Sequence, residues 1–287
     1  MNRTSTRATL AALLAASLLL AGCNGDDKGD DEPTKAGSDT TSSASTDASA
    51  SSSPSSSGTT STGSGLDKAD FYETISRAQQ DAGSYRTSST TSAGGTSSTL
   101  EGEATYQGGK LLAHVKSAGS SPQQIESVIA KGILYLKGAG LATPAGKWLK
   151  LDPNDPDNAD SPLAGIASAA DPEATLRAVG QLEKLDLVGK QDVDGVQADH
   201  YKAVMNTARF ADALGLPADA AKELPAQLPF DIWVDGDNRP VKMTMTFTIA
   251  GTTSTSEQKY FDYGTDVSIT VPKDSDTVTP ASLGLKG

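Results

Sequence analysis

Residues 241–249 read VKMTMTFTI, and apolar and polar side chains alternate along this stretch from its first residue to its last. Successive side chains of an extended chain point to opposite faces, so the apolar residues share one face and the polar residues share the other. The apolar residues are Val241, Met243, Met245, Phe247 and Ile249. A period of two indicates a strand with one buried face and one face in water. The stretch therefore predicts an antiparallel sheet that is covered on one side.

Further strands are predicted on both sides of this stretch. Residues 229–264 (PFDIWVDGDNRPVKMTMTFTIAGTTSTSEQKYFDYG) predict three consecutive strands, and KWLKLD (147–152) predicts another. Upstream, β-rich runs are separated by two-residue turn signals, which are typical of β-hairpins. The signals are Gly94-Gly95, Gly108-Gly109, Lys131-Gly132 and Asp194-Gly195. Together these runs predict roughly ten or eleven strands.

Three segments have helical patterns instead. In residues 66–83 the apolar side chains of Phe71, Ile75, Ala78 and Ala82 share one helical face. We expect Asp67 to cap this helix and Gly83 to end it. Residues 161–182 and 207–228 also predict helices, the latter broken at Gly215 and Pro217. The fold class that follows is α+β: a large curved antiparallel sheet with inserted helices covering its concave apolar face.

The first 22 residues have the properties of a secretory signal peptide. Arg3 and Arg7 precede an Ala- and Leu-rich run over residues 8–21, which is shorter than the ~20 residues of a membrane-spanning helix. Residues 20–23 (LAGC) resemble a bacterial lipobox, which implies cleavage before Cys23 and lipidation of its thiol. An ordinary signal peptide followed by an incidental cysteine is the alternative. We favour lipidation because Cys23 is the only cysteine, and a lone free thiol is unusual in an exported protein.

Composition divides the rest of the chain into two parts. Residues 23–65 predict a lipidated N-terminus and a disordered tether, because Ser, Thr, Gly and Asp are frequent and aromatic residues are absent. Residues 66–287 predict a single folded domain. The net charge is −12, and it becomes −14 when Arg3 and Arg7 leave with the signal peptide. This acidity argues against nucleic acid and against adsorption on anionic headgroups, so membrane attachment depends on the anchor at Cys23.

The sequence contains no motif of a catalytic or metal site. The two histidines, His114 and His200, lie in predicted strands, and both are expected at the surface. The chain lacks a G-x-S-x-G elbow, an H-E-x-x-H pair and a phosphate-binding loop. Residues 152–160 (DPNDPDNAD) lack the glycine and glutamate of a calcium loop and predict a solvated turn. We therefore expect no enzyme activity, no cofactor and no metal.

The order of these elements resembles that of a known group of exported proteins. The opening helix, KGILYLKGAGLATPAGKWLKLD (131–152), LVGKQDVDGVQADHYKA (187–203) and LPFDIWVDGDNRPVKMTMTF (228–247) carry the resemblance. The group is the LppX/LprG/LprF lipoproteins of actinobacteria, which share a half-barrel architecture with the LolA/LolB carriers. The resemblance implies a half-barrel with a hydrophobic cavity between sheet and helices, and a role in binding acyl chains of lipids or glycolipids.

Two functions remain open at this stage. The first is a carrier, anchored on the outer face of the plasma membrane, that binds a lipid or glycolipid and moves it through the envelope. The second is a tethered envelope sensor or scaffold whose half-barrel binds a protein partner. For the carrier, the resemblance places the cavity lining on the apolar face of the last strands. The expected lining residues are Ile232, Val234, Met243, Met245, Phe247 and Ile249. The alternative is that these residues form an ordinary hydrophobic core, which an alternating strand predicts equally well.

Overall fold

The computed structural model describes residues 65–119, 124–139, 141, 143–156, 182–213, 225–249 and 251–284. Helix α1 (Phe71–Ala82) opens the described part, and the short helix α2 (Thr207–Ala213) lies between the eighth and ninth strands. The strands are β1 (Ser84–Ala93), β2 (Thr96–Gln107), β3 (Lys110–Ser117), β4 (Ile125–Ala130), β5 (Ile133–Gly138), β6 (Trp148–Leu151), β7 (Leu182–Val193), β8 (Val196–Asn206), β9 (Gln227–Asp235), β10 (Pro240–Ile249), β11 (Thr252–Phe261) and β12 (Thr277–Val278). No helix within these ranges combines the length and hydrophobicity that crossing a membrane requires.

All twelve strands belong to one open sheet. Its order is β12-β6-β5-β4-β3-β2-β1-β11-β10-β9-β8-β7, so the sheet is not closed into a barrel. Every neighbouring pair is antiparallel except β12 and β6, which are parallel. The two halves of the chain meet where β1 pairs with β11, from Arg86 opposite Phe261 to Ala93 opposite Ser254. The structure thus confirms the predicted fold class, and β12 takes the strand count just past the expected ten or eleven.

The four predicted hairpin turns are all present. Gly94-Gly95, Gly108-Gly109, Lys131-Gly132 and Asp194-Gly195 each connect two paired strands, and both residues of each turn have positive φ. Two-residue turns of this kind match the right-handed twist of the flanking strands. They fix the register of β1–β2, β2–β3, β4–β5 and β7–β8.

Helix α1 covers one face of the sheet, which we name the inner face. The buried residues of the helix are Phe71, Tyr72, Ile75, Ser76 and Gln79. Ile75 is fully buried, and the ring of Phe71 packs edge-on against Tyr201 of β8 at 5.3 Å between centroids. The helix begins one turn later than expected, after Asp70 rather than Asp67, and Asp70 makes no side-chain capping bond. Gly83, at φ 78°, ends it as predicted.

The opposite, outer face is polar over most strands but not over all of them. A second cluster of buried apolar side chains lies on β3–β5. It contains Leu112, Val128, Ala130 and Tyr135, with Ile133, Trp148 and Ile269 packed against it. The sheet is therefore covered on both faces at this end.

Of the other predicted helices, α2 confirms the start of 207–228, while 161–181 and 214–224 lie outside the described residues. In the 152–160 stretch, Asp152 accepts a hydrogen bond from the Asn154 backbone at 2.9 Å, and residues 157–160 also lie outside the described residues.

Candidate functional site

The residues expected to line a cavity all belong to the inner face. Ile232, Val234, Met243 and Met245 are between 1% and 6% exposed and lie in the main core cluster. Register places Ile232 opposite Met243, and β10 continues along the same face to Phe247. Phe247 is half-buried against the cluster, and Ile249 occupies the next inner position. The apolar surface is thus closely covered along most of its length and more exposed toward Phe247.

Acidic, basic and histidine side chains are absent from the inner positions of the described strands β1–β6 and β9–β11. The strand registers place the charged residues of these strands, such as Lys242, Glu257 and Lys259, on the outer face. Counted from β9 toward β7, the first charged residue at an inner position is Asp199 on β8, which pairs with Lys190 of β7 at 3.0 Å. A charged group placed among uncharged side chains loses its hydration without gaining a partner, at a cost of several kcal/mol. The inner face is therefore suited to uncharged groups.

A strip of neutral polar side chains crosses the middle of this face. We name as the neutral strip the inner positions of the central pair: Thr87, Ser89 and Thr91 of β1, and Ser254, Ser256, Gln258 and Tyr260 of β11. Apolar residues flank it on both sides, from β3–β6 and from β9–β10. Ser89, Ser256 and Gln258 are less than 9% exposed. The inner face is thus amphipathic, with hydroxyl and amide groups between two apolar surfaces.

Sequence reasoning missed the neutral strip, and the reason lies in β11 itself. Residues 252–261 read TTSTSEQKYF, so polar side chains occupy both faces of the strand. Alternation of apolar and polar residues, which located β10, gives no information in such a strand. The only residues of β11 that could have indicated its buried face are the adjacent aromatic residues Tyr260 and Phe261. Tyr260 is buried, whereas Phe261 is 42% exposed.

Several buried polar atoms on α1 and on the inner face of β11 lack a hydrogen-bond partner among the described residues, and three of them bear on a ligand. These three are Ser76 Oγ on the helix, Gln258 Oε1 and the hydroxyl oxygen of Tyr260. Leaving a buried polar group unpaired costs about 1–3 kcal/mol. The surroundings are aromatic: the rings of Tyr85 and Tyr260 lie 6.0 Å apart between centroids, and burial raises the pKa of both hydroxyls. These atoms are accordingly the places on the inner face where a hydrogen-bonding group would bind most favourably.

Both histidines lie on the outer face and contact carboxylates. His114 Nε2 lies 2.9 Å from Glu126, and its Nδ1 lies 3.7 Å from Glu103. His200 Nε2 lies 2.6 Å from Asp231, and its ring stacks on Trp233 at 4.4 Å. The expectation that His200 is a surface residue was wrong, because the stack leaves it 6% exposed. These contacts join imidazole rings to carboxylates across neighbouring strands, and neither ring is bonded to a hydroxyl or thiol nucleophile in them.

The tip of the β7–β8 hairpin also lies over the outer face. Trp233 Nε1 donates a hydrogen bond to Gln191 at 2.8 Å, and Asp194 at the turn pairs with Lys259 of β11 at 2.7 Å. Lys242 lies 4.9 Å above the Trp233 ring. The pairing of β7 shifts register next to Gly189, where φ is 140°. A bulge of this kind increases the twist of a strand, which explains how the hairpin reaches across β9 and β10.

Comparison with known proteins gives one curated relative and several solved structures of similar fold. No protein-family model matches the chain. An uncharacterized 31.2 kDa protein of Streptomyces griseus, from the rplA-rplJ intergenic region, is 28% identical over 197 residues. The match covers 61% of this chain and 62% of the relative, so it spans less than two thirds of the relative's length.

Three of the solved structures similar to this chain come from Mycobacterium and Pseudomonas. LprF from Mycobacterium bovis has a TM-score of 0.43 and 15% identity, over 71% of this chain and 96% of its own. The lipoprotein LppX from Mycobacterium tuberculosis has a TM-score of 0.44 and 11% identity, over 71% and 98%. The Pseudomonas aeruginosa MucA/MucB complex has a TM-score of 0.40 and 16% identity, over 68% and 56%. LprF and LppX belong to the group that the sequence resembles.

Proposed function

We propose that this protein binds the acyl chains of a lipid or glycolipid on the inner face of its sheet and carries the lipid through the cell envelope. The observation that carries the proposal is the inner face itself, which is apolar on both sides of the neutral strip and free of acidic, basic and histidine side chains across the described strands β1–β6 and β9–β11. A face of this composition releases ~0.8 kcal/mol for each methylene group transferred to it from water. An alkyl chain is the ligand that gains most from such a surface.

The arrangement of β10 suggests where the ligand enters. Met243 and Met245 are buried, whereas Phe247, two residues further on, is half-buried. Methionine side chains are unbranched and adapt to chains of different shape. We propose that an acyl chain enters at the Phe247 end and displaces some of the side chains that bury Met245. Ile232 and Val234 would then form the far end of the lining, and Ile249 its mouth.

The proposal also includes the site of attachment. Cys23 lies outside the described residues, and its lipidation rests on the lipobox-like sequence at residues 20–23. A single acyl chain gives only marginal membrane binding, whereas two or three hold a protein durably. Lipidated in this way, the domain would stay at the outer face of the plasma membrane. Changing Cys23 to Ser should release the protein from the membrane fraction, and retention of the variant would contradict the anchor.

Native mass spectrometry of the full chain tests lipid binding directly. The protein is produced in a bacterial host that exports lipoproteins and is released from the membrane fraction with a mild detergent. Its mass is then compared before and after lipid extraction. We expect a stoichiometric acyl-bearing adduct. Met245→Asp should abolish it, because a carboxylate on the inner face has no partner there. Thr246→Asp is the matched control, since Thr246 is the next residue but is exposed on the outer face. A bare mass in the wild type, with added lipids also ignored, would contradict the proposal.

One observation favours the alternative of a tethered scaffold. Among the described strands β7 is an outermost strand, and Leu187 and Val188 on it are 42% and 49% exposed. An edge strand with exposed apolar residues can accept a strand from another protein. If the full chain carries no lipid but captures an envelope protein, and Val188→Lys abolishes the capture, the scaffold is the correct function.

A further inference from the structure

We infer that Ser76, Gln258 and Tyr260, named here the polar cluster, form a subsite that binds an uncharged hydrogen-bonding group of the ligand, such as a hydroxyl or an ester. This inference rests on the proposed lipid-binding function and specifies which part of the ligand lies deepest. Each residue has a buried side-chain oxygen for which the described part of the chain supplies no hydrogen-bond partner. The three side chains are 2%, 4% and 4% exposed.

The cluster is located at the deep end of the neutral strip. Gln258 and Tyr260 occupy consecutive inner positions of β11, opposite Ser89 and Thr87 of β1. Ser76 is on the buried side of α1, one turn after Tyr72. Going away from α1, the next inner positions of β11 are Ser256 and Ser254, which lie opposite Met245 and Phe247 of β10. Inner positions repeat about every 7 Å along a strand, so the cluster continues directly into the proposed acyl-binding surface.

The chemistry of the cluster selects neutral groups. A serine or tyrosine hydroxyl both donates and accepts, and the amide oxygen of glutamine accepts. A hydroxyl of the ligand can donate to Gln258 and accept from Tyr260 or Ser76, and an ester oxygen can accept from either hydroxyl. No cationic side chain occupies an inner position of the described strands β1–β6 and β9–β11, so a carboxylate or phosphate would find no countercharge. Buried water could supply the same hydrogen bonds, and the experiment separates the two sources.

The test compares two probes that differ by one hydroxyl. The delipidated full chain is incubated in a mild detergent with equal amounts of 1-hexadecanol and hexadecane, captured, and the bound probes are extracted and quantified by gas chromatography. We expect the wild type to be enriched in hexadecanol relative to a detergent blank. Tyr260→Phe and Gln258→Leu should each lower this enrichment about fivefold while leaving hexadecane binding unchanged, because each removes one hydrogen bond. Thr246→Val, on the outer face, should change neither probe.

The thermal stability of the empty protein provides a second readout. If the Tyr260 hydroxyl is unpaired until a ligand binds, Tyr260→Phe should leave the melting temperature of the delipidated chain unchanged or raise it. The variant would then bind the ligand less well while its fold stayed intact. If the Tyr260 hydroxyl only stabilised the fold, the melting temperature would fall as well.

Three results would overturn the inference, each in a different way. An unchanged hexadecanol-to-hexadecane ratio in both variants would assign the cluster to buried water. Loss of both probes in Tyr260→Phe, with a lower melting temperature, would assign it to folding. Failure of the wild type to retain either probe would refute the proposed function itself, and the subsite with it.

Discussion

At the scale of single residues, the buried tyrosines make stability depend on alkaline pH. Burial raises the pKa of Tyr85 and Tyr260 above the ordinary value of 10.0. The folded protein therefore keeps these protons at a pH where the unfolded chain has released them. Below about pH 9 the two states bind equal numbers of these protons, so the tyrosines cause no pH dependence there. Above pH 10 the free energy of unfolding falls by about 1.4 kcal/mol per pH unit for each such tyrosine.

We therefore expect Tyr260→Phe to reduce the loss of stability between pH 10 and 11 by about 1 kcal/mol, because the unfolded tyrosine is only partly ionised at the start of this range. Urea unfolding at several pH values measures the slope, and the tyrosinate absorbance shows when the hydroxyls ionise. Thr246→Val, which removes an exposed hydroxyl, should leave the wild-type slope. An identical slope in Tyr260→Phe would mean that this hydroxyl ionises in the folded protein as it does in water.

At the scale of elements, α1 packs on the sheet through an apolar side chain that is completely buried. Ile75 is 0% exposed in the main core cluster, between the helix and the inner face. Ile75→Ala should lower the free energy of unfolding by about 2–5 kcal/mol, because it removes buried methyl groups and leaves a cavity. Arg77→Ala is the control on the same helix: Arg77 pairs with Glu73 at an exposed position and should cost less than about 0.5 kcal/mol. Equal losses in urea unfolding would contradict the packing of α1 described here.

The elements that could be predicted from the sequence are those specified by local chemistry. Glycine in the positive-φ turns at Gly95 and Gly195 identified two hairpins, and alternation identified β10. β12 could not be found, because the two residues Thr277 and Val278 have no periodicity and pair only through β6. The inner face of β11 was missed because its buried and exposed residues are both polar, so burial there depends on the neighbouring strands β1 and β10.

At the scale of the whole molecule, the strand order depends on a pairing between distant parts of the chain. β1 and β11 form the centre of the sheet, and β7 and β12 lie at its two ends. Alternation shows which residues share a face but not which strands are neighbours, so the sequence predicted a sheet without its order. The same limitation applies to the candidate site: the faces of β9 and β10 were predictable, whereas the neutral strip exists only because β1 and β11 meet.

This order predicts a gradient of backbone protection. Hydrogen–deuterium exchange of the full chain should be slowest in β1 and β11, which are several strands away from either edge of the sheet, and fastest in β7 among the long strands. The reason is that an outermost strand opens without disrupting its neighbours, whereas the central pair opens only when the sheet unfolds. Mass spectrometry of peptic peptides measures the exchange. If β7 were as protected as β1, another part of the chain or a partner would have to cover it.

The separation of charged from uncharged side chains also determines how the protein responds to its surroundings. The ion pairs of β9–β11 lie on the outer face, where dissolved ions screen the interactions between charges more than about 8 Å apart at physiological ionic strength. A neutral lipid on the inner face would interact through dispersion and uncharged hydrogen bonds, which screening leaves intact. At the proposed location outside the plasma membrane, the salt concentration follows the surroundings of the cell. If the proposed lipid binding is correct, the lipid would stay bound as the salt concentration changed, while the ion pairs of the outer face weakened or strengthened with the medium.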